Sequence, residues 1–290
     1  MNDWVVGIVS IVAALAVASG IAWAGSYQGA EFAGLPVFFL CGVFAFAVQW
    51  LVFIHAWKNH TEVFYDLTGS VTYIVMVVSG AALAGATDLR SLVLVALIVV
   101  WALRLGPFLY QRIKKSGEDR RFRSIKNSFP TFLMTWTLQG TWVFITASCA
   151  LAAITAQSDV PIALPFWIGL VIWVTGFGIE VVADRQKSAF RANPDNARNF
   201  ITTGLWAWSR HPNYFGEIVL WLGIAIMAYP ALVGWQLATL ISPLFVVVLL
   251  TFISGVRMLE NRANKTWGDD PDYQAYKRKT PVLMMWPPKS

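Results

Sequence analysis

Long apolar stretches alternate with short polar ones along the whole chain, and that spacing sets the architecture before any single residue matters. Runs with the length of a membrane-crossing helix fall at 4–25, 34–55, 68–87, 91–110, 131–156, 162–183, 214–230 and 234–256. About 18 or more apolar residues in a row mark a spanning helix, because inside a bilayer each backbone polar group must find its partner within the helix. The pattern predicts an all-α, polytopic helical bundle of seven or eight spans, depending on whether the first crosses the membrane or lies at its edge. No internal repeat interrupts it. The expectation is one membrane domain over 1–290, with a polar tail from 257. The opening MNDW lacks the basic region of a secretory leader, so residues 1–25 are read as a span.

Composition agrees. The chain is 57% hydrophobic and 13% charged, against roughly 25% charged in soluble domains. The net charge of +6 would suggest nucleic acid in a soluble protein, but its placement argues otherwise. Of 22 Lys and Arg, seven lie in 111–130, five in 184–213 and seven in 257–290; only Lys58, Arg90 and Arg104 lie elsewhere. With eight spans the three rich segments fall on one side, which the positive-inside rule makes cytoplasmic. The expected setting is a bacterial inner membrane, with the basic loops and both termini in the cytoplasm. Expected partners are membrane lipid and a lipophilic small molecule, with no nucleic acid. Cys41 and Cys149 each sit inside an apolar run and read as free buried thiols. No metal-ligand spacing, Rossmann glycine motif or P-loop occurs.

The Lys and Arg excess is explained by topology. The carboxylates, asparagines and tyrosines interleaved with it are not. At the end of the sixth run, GFGIEVVADRQKSAFR, Glu180, Asp184, Lys187 and Arg191 follow i, i+4, i+7 and i+11, one face of a helix. A carboxylate within a span is costly and is a functional-site candidate by default; for Lys187 and Arg191 the competing reading is a solvated helix end. Downstream, TTGLWAWSRHPNYFGEI reads as a turn feeding a helix at Pro212. Trp206, Trp208 and Tyr214 would suit an interfacial aromatic belt. That belt does not call for Arg210, His211, Asn213 and Glu217 together, and a helix start with free N–H groups beside cations suits a phosphate. The last run leads into Arg257, Glu260, Asn261, Asn264 and Lys265 at helical spacing, then Tyr273 and Tyr276. Lys277, Arg278 and Lys279 are read as a plain juxtamembrane basic segment for acidic lipid.

Two earlier segments carry lesser signals. Glu62, Tyr65 and Asp66 open the third run at i, i+3 and i+4. They are read either as hydrogen-bonding groups aimed into the bilayer or as a helix start capped by Thr61 or Asp66. Arg104 lies within a span and needs a partner. Gln139 also lies within a span, where it would face a cavity. Glu118 and Asp119 are expected to pair with neighbouring cations.

The motifs G-x-x-x-E-x-x-A-D-x-Q-K-x-x-F at 176–190 and G-L-W-x-x-S-R-H-P-N-Y-F-G-E at 204–217, with Arg257 and the tail through Pro281, resemble the DUF1295 branch of the steroid 5-alpha-reductase-like family, related to sterol reductases. The resemblance covers roughly 100 to 290 and is strongest over 176–221. It implies a helical membrane fold with a cytoplasmic NADPH pocket. Carried over by motif position, Glu180, Asp184, Lys187 and Arg191 would hold the cofactor, with Trp206, Arg210, His211, Asn213, Tyr214 and Glu217. Arg257, Glu260, Asn261, Tyr273 and Tyr276 would complete that set. Glu62 and Tyr65 would be the catalytic acids, Glu62 kept protonated by burial; the family tyrosine alternatively aligns near Trp101, leaving the acid missing. The reaction implied is hydride transfer to an activated C=C bond of a steroid-like or other enone lipid. Because RHPNY also resembles isoprenylcysteine carboxyl methyltransferases, an S-adenosylmethionine-dependent membrane methyltransferase is the alternative. A non-catalytic lipid-binding or transport protein is the third reading.

Overall fold

Eleven helices and one two-stranded hairpin form from this pattern among the residues that the computed structural model describes, 2–119, 121–158 and 160–287. Eight helical stretches are long and apolar enough to cross a membrane: 3–25, 37–58, 65–84, 89–116, 129–155, 164–192, 212–231 and 234–267. The polytopic bundle expected from the sequence is therefore the observed architecture. Contacts divide the chain into two units. One holds Met1–Phe166 with Met227–Ser242, the other Trp167–Ile226 with Pro243–Ser290.

The first unit contains helices α1 (Asp3–Gly25), α2 (Val37–Lys58), α3 (Tyr65–Ala84), α4 (Leu89–Ser116), α5 (Phe122–Ile125) and α6 (Phe129–Thr155). α6 is its axis: 89% of its most apolar window is buried, against 17% for α1, so α1 offers most of its surface to the surroundings. Bilayer lipid is as apolar as the helices, so close packing and hydrogen bonds between spans carry helix association. Gln49 Nε2 donates to Thr72 Oγ1 at 3.0 Å, joining α2 to α3. Trp50 Nε1 donates to Thr137 Oγ1 at 3.0 Å, joining α2 to α6. Gln139 Nε2 donates to the Tyr65 carbonyl at 2.7 Å, tying α6 to α3. Gln139 thus braces a helix start rather than facing a cavity. Between α1 and α2, strands β1 (Glu31–Phe32) and β2 (Leu35–Pro36) pair antiparallel through a turn in which Ala33 and Gly34 both have positive φ.

The second unit contains most of α7 (Leu164–Ala192) and α8 (Pro212–Ala228), then α10 (Val256–Trp267) and α11 (Pro271–Lys279), reached from α9 (Ile241–Val248). α7 and α8 touch backbone to backbone. A Cβ on Gly176 would lie 2.5 Å from the Leu220 nitrogen, and one on Gly216 would lie 2.6 Å from the Glu180 nitrogen. Only glycine permits that approach, which seats Glu180 against α8. The final apolar run does not extend straight into the tail. It starts as a tight 3-10 stretch at Gly234–Leu240, becomes α9, widens to a π-turn at Leu249–Ile253, and breaks at Ser254–Gly255 before α10 begins. Local loosening of this kind often marks a functional region.

Candidate functional site

The polar half of α7 carries the second unit's chemistry. Glu180 and Asp184 are buried on it, Lys187 is half-buried, and Arg191 is exposed at its end. The Lys187 ammonium lies 4.4 Å from the centre of the Trp206 ring, a cation–π contact. Trp206 belongs to the short 3-10 turn Gly204–Ala207, which two hydrogen bonds clip onto α7. Its indole N–H donates to the Ala183 carbonyl at 3.0 Å, and the Leu205 N–H donates to Gln186 Oε1 at 2.9 Å.

From that turn the chain enters SRHP, where both basic side chains converge on one carboxylate. His211 Nε2 lies 3.0 Å from Glu260 Oε1, and Arg210 Nη2 lies 2.9 Å from Glu260 Oε2. The His211 N–H donates to Ser209 Oγ at 3.1 Å. The imidazole stacks on Tyr214, rings 5.8 Å apart and 9° from parallel. Burial favours the neutral ring and outweighs the bond to Glu260, so the His211 pKa falls below the ordinary histidine value. This corrects an expectation. Arg210 and His211 do not offer two free charges to a phosphate at the start of α8: the Arg210 side chain is 9% exposed and neutralised by Glu260, and His211 is held toward neutrality.

The tail closes on the same turn. The Tyr276 hydroxyl donates to the Trp206 carbonyl at 2.7 Å. Burial lifts the Tyr273 and Tyr276 phenols above their usual pKa, keeping them donors. Phe200 packs against the rings of Trp267, Tyr273 and Tyr276. Lys277 Nζ donates to Asn264 Oδ1 at 2.8 Å, so this member of the basic run is bound internally rather than offered to lipid. Arg257 and Asn261 are exposed on α10; Asn213, Tyr214 and Glu217 are half-buried on the first turns of α8. The residues expected to hold a cofactor thus divide into two kinds. Trp206, Arg210, Glu260, Tyr273 and Tyr276 knit the assembly together, whereas Arg191, Asn213, Arg257 and Asn261 lie where a ligand can reach them. Gln186, Ser209, Phe200 and Trp267 were missed. The first two stand inside the quoted motifs; the last two carry no local signal, because their partners are distant in sequence.

Glu62 and Tyr65 belong to the first unit, in a closed network. Glu62 is 2% exposed. Its Oε2 accepts from the Lys126 ammonium at 2.8 Å and its Oε1 from the Asp119 N–H at 2.9 Å. Two such bonds are the pattern of an ionised carboxylate, not of an acid holding a proton to donate, and the protonated Glu62 expected from burial is corrected accordingly. The Tyr65 hydroxyl donates to the Thr135 carbonyl at 3.0 Å, among the rings of Phe122 and Trp136. Neither Thr61 nor Asp66 caps α3: Phe64 holds the cap position without a side-chain bond, and Thr61 Oγ1 accepts from the Val63 N–H instead. Arg121 bridges Asp119, Nε to Oδ2 at 2.9 Å, with Asp66 at 3.9 Å. Burial works to raise the Asp119 carboxyl, but the bonds and charge of Arg121 hold it below the usual range. Glu118 pairs with Arg123, as the sequence suggested for this loop. The Arg104 guanidinium lies 5.1 Å from the Phe108 ring centre. Two apolar cavities open in this unit, about 200 Å³ beside Leu15, Phe39 and Phe46, and about 430 Å³ beside Leu40, Phe44 and Val75; neither is lined by Glu62 or Tyr65.

Known proteins fit this picture in part. The chain is 24% identical over 178 residues to an uncharacterised protein of Schizosaccharomyces pombe, 51% of this chain and 52% of that one. It is 36% identical over 64 residues to steroid 5-alpha-reductase DET2 of Gossypium hirsutum, 22% of this chain and 25% of the relative. It is 35% identical over 66 residues to steroid 5-alpha-reductase DET2 of Arabidopsis thaliana, 22% and 24% respectively. The chain therefore spans about half the length of the first relative and about a quarter of the two plant proteins. No solved structure matches it. The family described as "Protein of unknown function (DUF1295)" matches residues 49–280, starting well before the motifs that first suggested it, and the chain belongs to that family.

Proposed function

We propose that the chain is a membrane-embedded, NADPH-dependent reductase acting on an activated C=C bond of a lipophilic substrate, a steroid-like enone or a related lipid, drawn from the bilayer. The observation that carries this reading is the assembly in the second unit, where the carboxylate stripe of α7, the SRHP turn and the α10–α11 tail interlock at Glu260 and Trp206. The similarity to two plant steroid 5-alpha-reductases supports it. A cytoplasmic placement of this assembly, as the positive-inside rule reads the basic segments, would give it access to a soluble dinucleotide.

The residues present fit such a cofactor. Bound NADPH would supply the hydride. Its phosphates require accessible cations, and Arg191 and Arg257 are exposed. Its amide and ribose groups require hydrogen-bonding partners, which Asn213 and Asn261 offer. His211 Nδ1 is buried without a protein partner, a polar atom that a bound group could satisfy. Glu180 and Asp184, fixed on α7, would orient donors of the cofactor, and Trp206, Arg210, Glu260 and Tyr276 hold the surrounding turn in place. Of the two acids expected from the family, Glu62 is already committed to Lys126. The Tyr65 hydroxyl is likewise committed, to the Thr135 carbonyl.

Thermal unfolding of the full chain in lipid nanodiscs tests the cofactor. NADPH is expected to raise Tm, and Asn213→Ala and Arg257→Ala to weaken its binding about tenfold each, roughly 1.4 kcal/mol. Stabilisation by S-adenosylmethionine but not by NADPH would replace the proposal with the methyltransferase reading; a response to neither would leave a lipid-binding protein.

A further inference from the structure

The last described segment folds back along the SRHP turn. The Arg210 N–H donates to the Pro281 carbonyl at 2.9 Å, Ser209 Oγ to the Leu283 carbonyl at 2.9 Å, and the Trp286 N–H to the Trp208 carbonyl at 3.1 Å. These bonds lay residues 281–286 as a strap, bent at Val282–Met284, beside 208–210. Here Val282, Met284 and Trp286 are exposed, while Pro281, Leu283 and Met285 are half-covered. The outward side chains are apolar, with Met284 and Trp286 each 64% exposed and Trp208 exposed beside them.

Its level in the membrane is set by the chain. Trp208 stands four residues before Pro212, where a spanning helix begins, and the strap is hydrogen-bonded to that same stretch. Tryptophan is enriched at this boundary, where its ring is buried and its N–H stays wet. Arg278 and Lys279, both exposed, immediately precede the strap.

We infer that residues 278–286, with Trp208, form an interfacial anchor: Val282, Met284, Trp286 and Trp208 enter the headgroup–acyl boundary, and Arg278 and Lys279 pair with anionic phospholipid headgroups. Each cation near an anionic surface strengthens attachment roughly fivefold. The anchor holds Ser209 and Arg210 from behind and does not depend on which cofactor the second unit binds.

The test places a fluorescent label at Met284→Cys in the full chain; the native Cys41 and Cys149 are buried and stay unlabelled. The protein is reconstituted in nanodiscs of phosphatidylcholine, alone or mixed with phosphatidylglycerol, and quenched with lipid brominated along its acyl chains. Quenching is expected to be strong with phosphatidylglycerol, weaker without it, and far above that of a label at Asp195→Cys in the exposed turn Pro194–Asn196. Arg278→Glu with Lys279→Glu is expected to abolish the difference between the two lipid mixtures. A label no better quenched than the one at Asp195, or shielded only when another protein is added, overturns the anchor. Equal quenching in both mixtures overturns the headgroup pairing.

Discussion

His211 and Glu260, 49 residues apart in sequence, meet at 3.0 Å between imidazole Nε2 and carboxylate Oε1. The other oxygen of Glu260 takes Arg210 at 2.9 Å. One carboxylate therefore joins the start of α8 to the tail.

The imidazole makes that join sensitive to pH. Burial lowers the folded pKa of His211, so as pH falls the unfolded chain binds the proton first. The stability that neutral His211 confers is complete above the unfolded value of about 6.5 and is lost as pH drops below it toward the folded value. Tm measured from roughly pH 7.5 to 5.5 should fall, and His211→Gln should remove a large part of that slope.

Glu260→Ala should be costly although Glu260 is only half-buried on α10. It leaves the Arg210 guanidinium, 9% exposed, without its counter-charge. Loss of one partner of a buried pair costs about 3 kcal/mol. Denaturation of the purified protein in mild detergent reads the loss, and Arg210→Met combined with Glu260→Leu should recover a good part of it.

Lys126→Ala should behave in the same way in the first unit, because it strips the ammonium from a carboxylate that is 2% exposed. The expected cost is again about 3 kcal/mol. Lys126→Arg keeps the charge and should retain most of the stability.

Gly216→Val tests the approach of α7 to α8. Its Cβ would lie 2.6 Å from the Glu180 nitrogen, closer than any real Cβ contact, and backbone cannot rotate aside as a side chain can. Overpacking of this kind costs about 1–3 kcal/mol. A thermal melt should show the loss, whereas Gly20→Val, on the open face of α1, should leave Tm unchanged.

The spans were legible in the sequence because a bilayer demands an uninterrupted apolar run, and such a run is a local property. The stripe of Glu180 and Asp184 was legible for a similar reason: the helical repeat puts residues four apart on one face, and both are buried there. The hairpin at 31–36 and the break at Ser254–Gly255 were not, since two-residue strands and a π-turn leave no periodic trace. Residue types named the participants of the assembly but not their roles. Arg210 and Tyr276 read as ligand contacts in sequence and act as ties in the structure.

By itself, then, the sequence determined a polytopic helical chain and the segments where its polar chemistry gathers. Both follow from local cost: charge and unpaired backbone are expensive in lipid wherever they fall. Only the tertiary structure decided which charges stay accessible. Glu260 could neutralise Arg210 and Lys126 could claim Glu62 only after folding brought together residues 50 and 64 positions apart, pairings that no local pattern records.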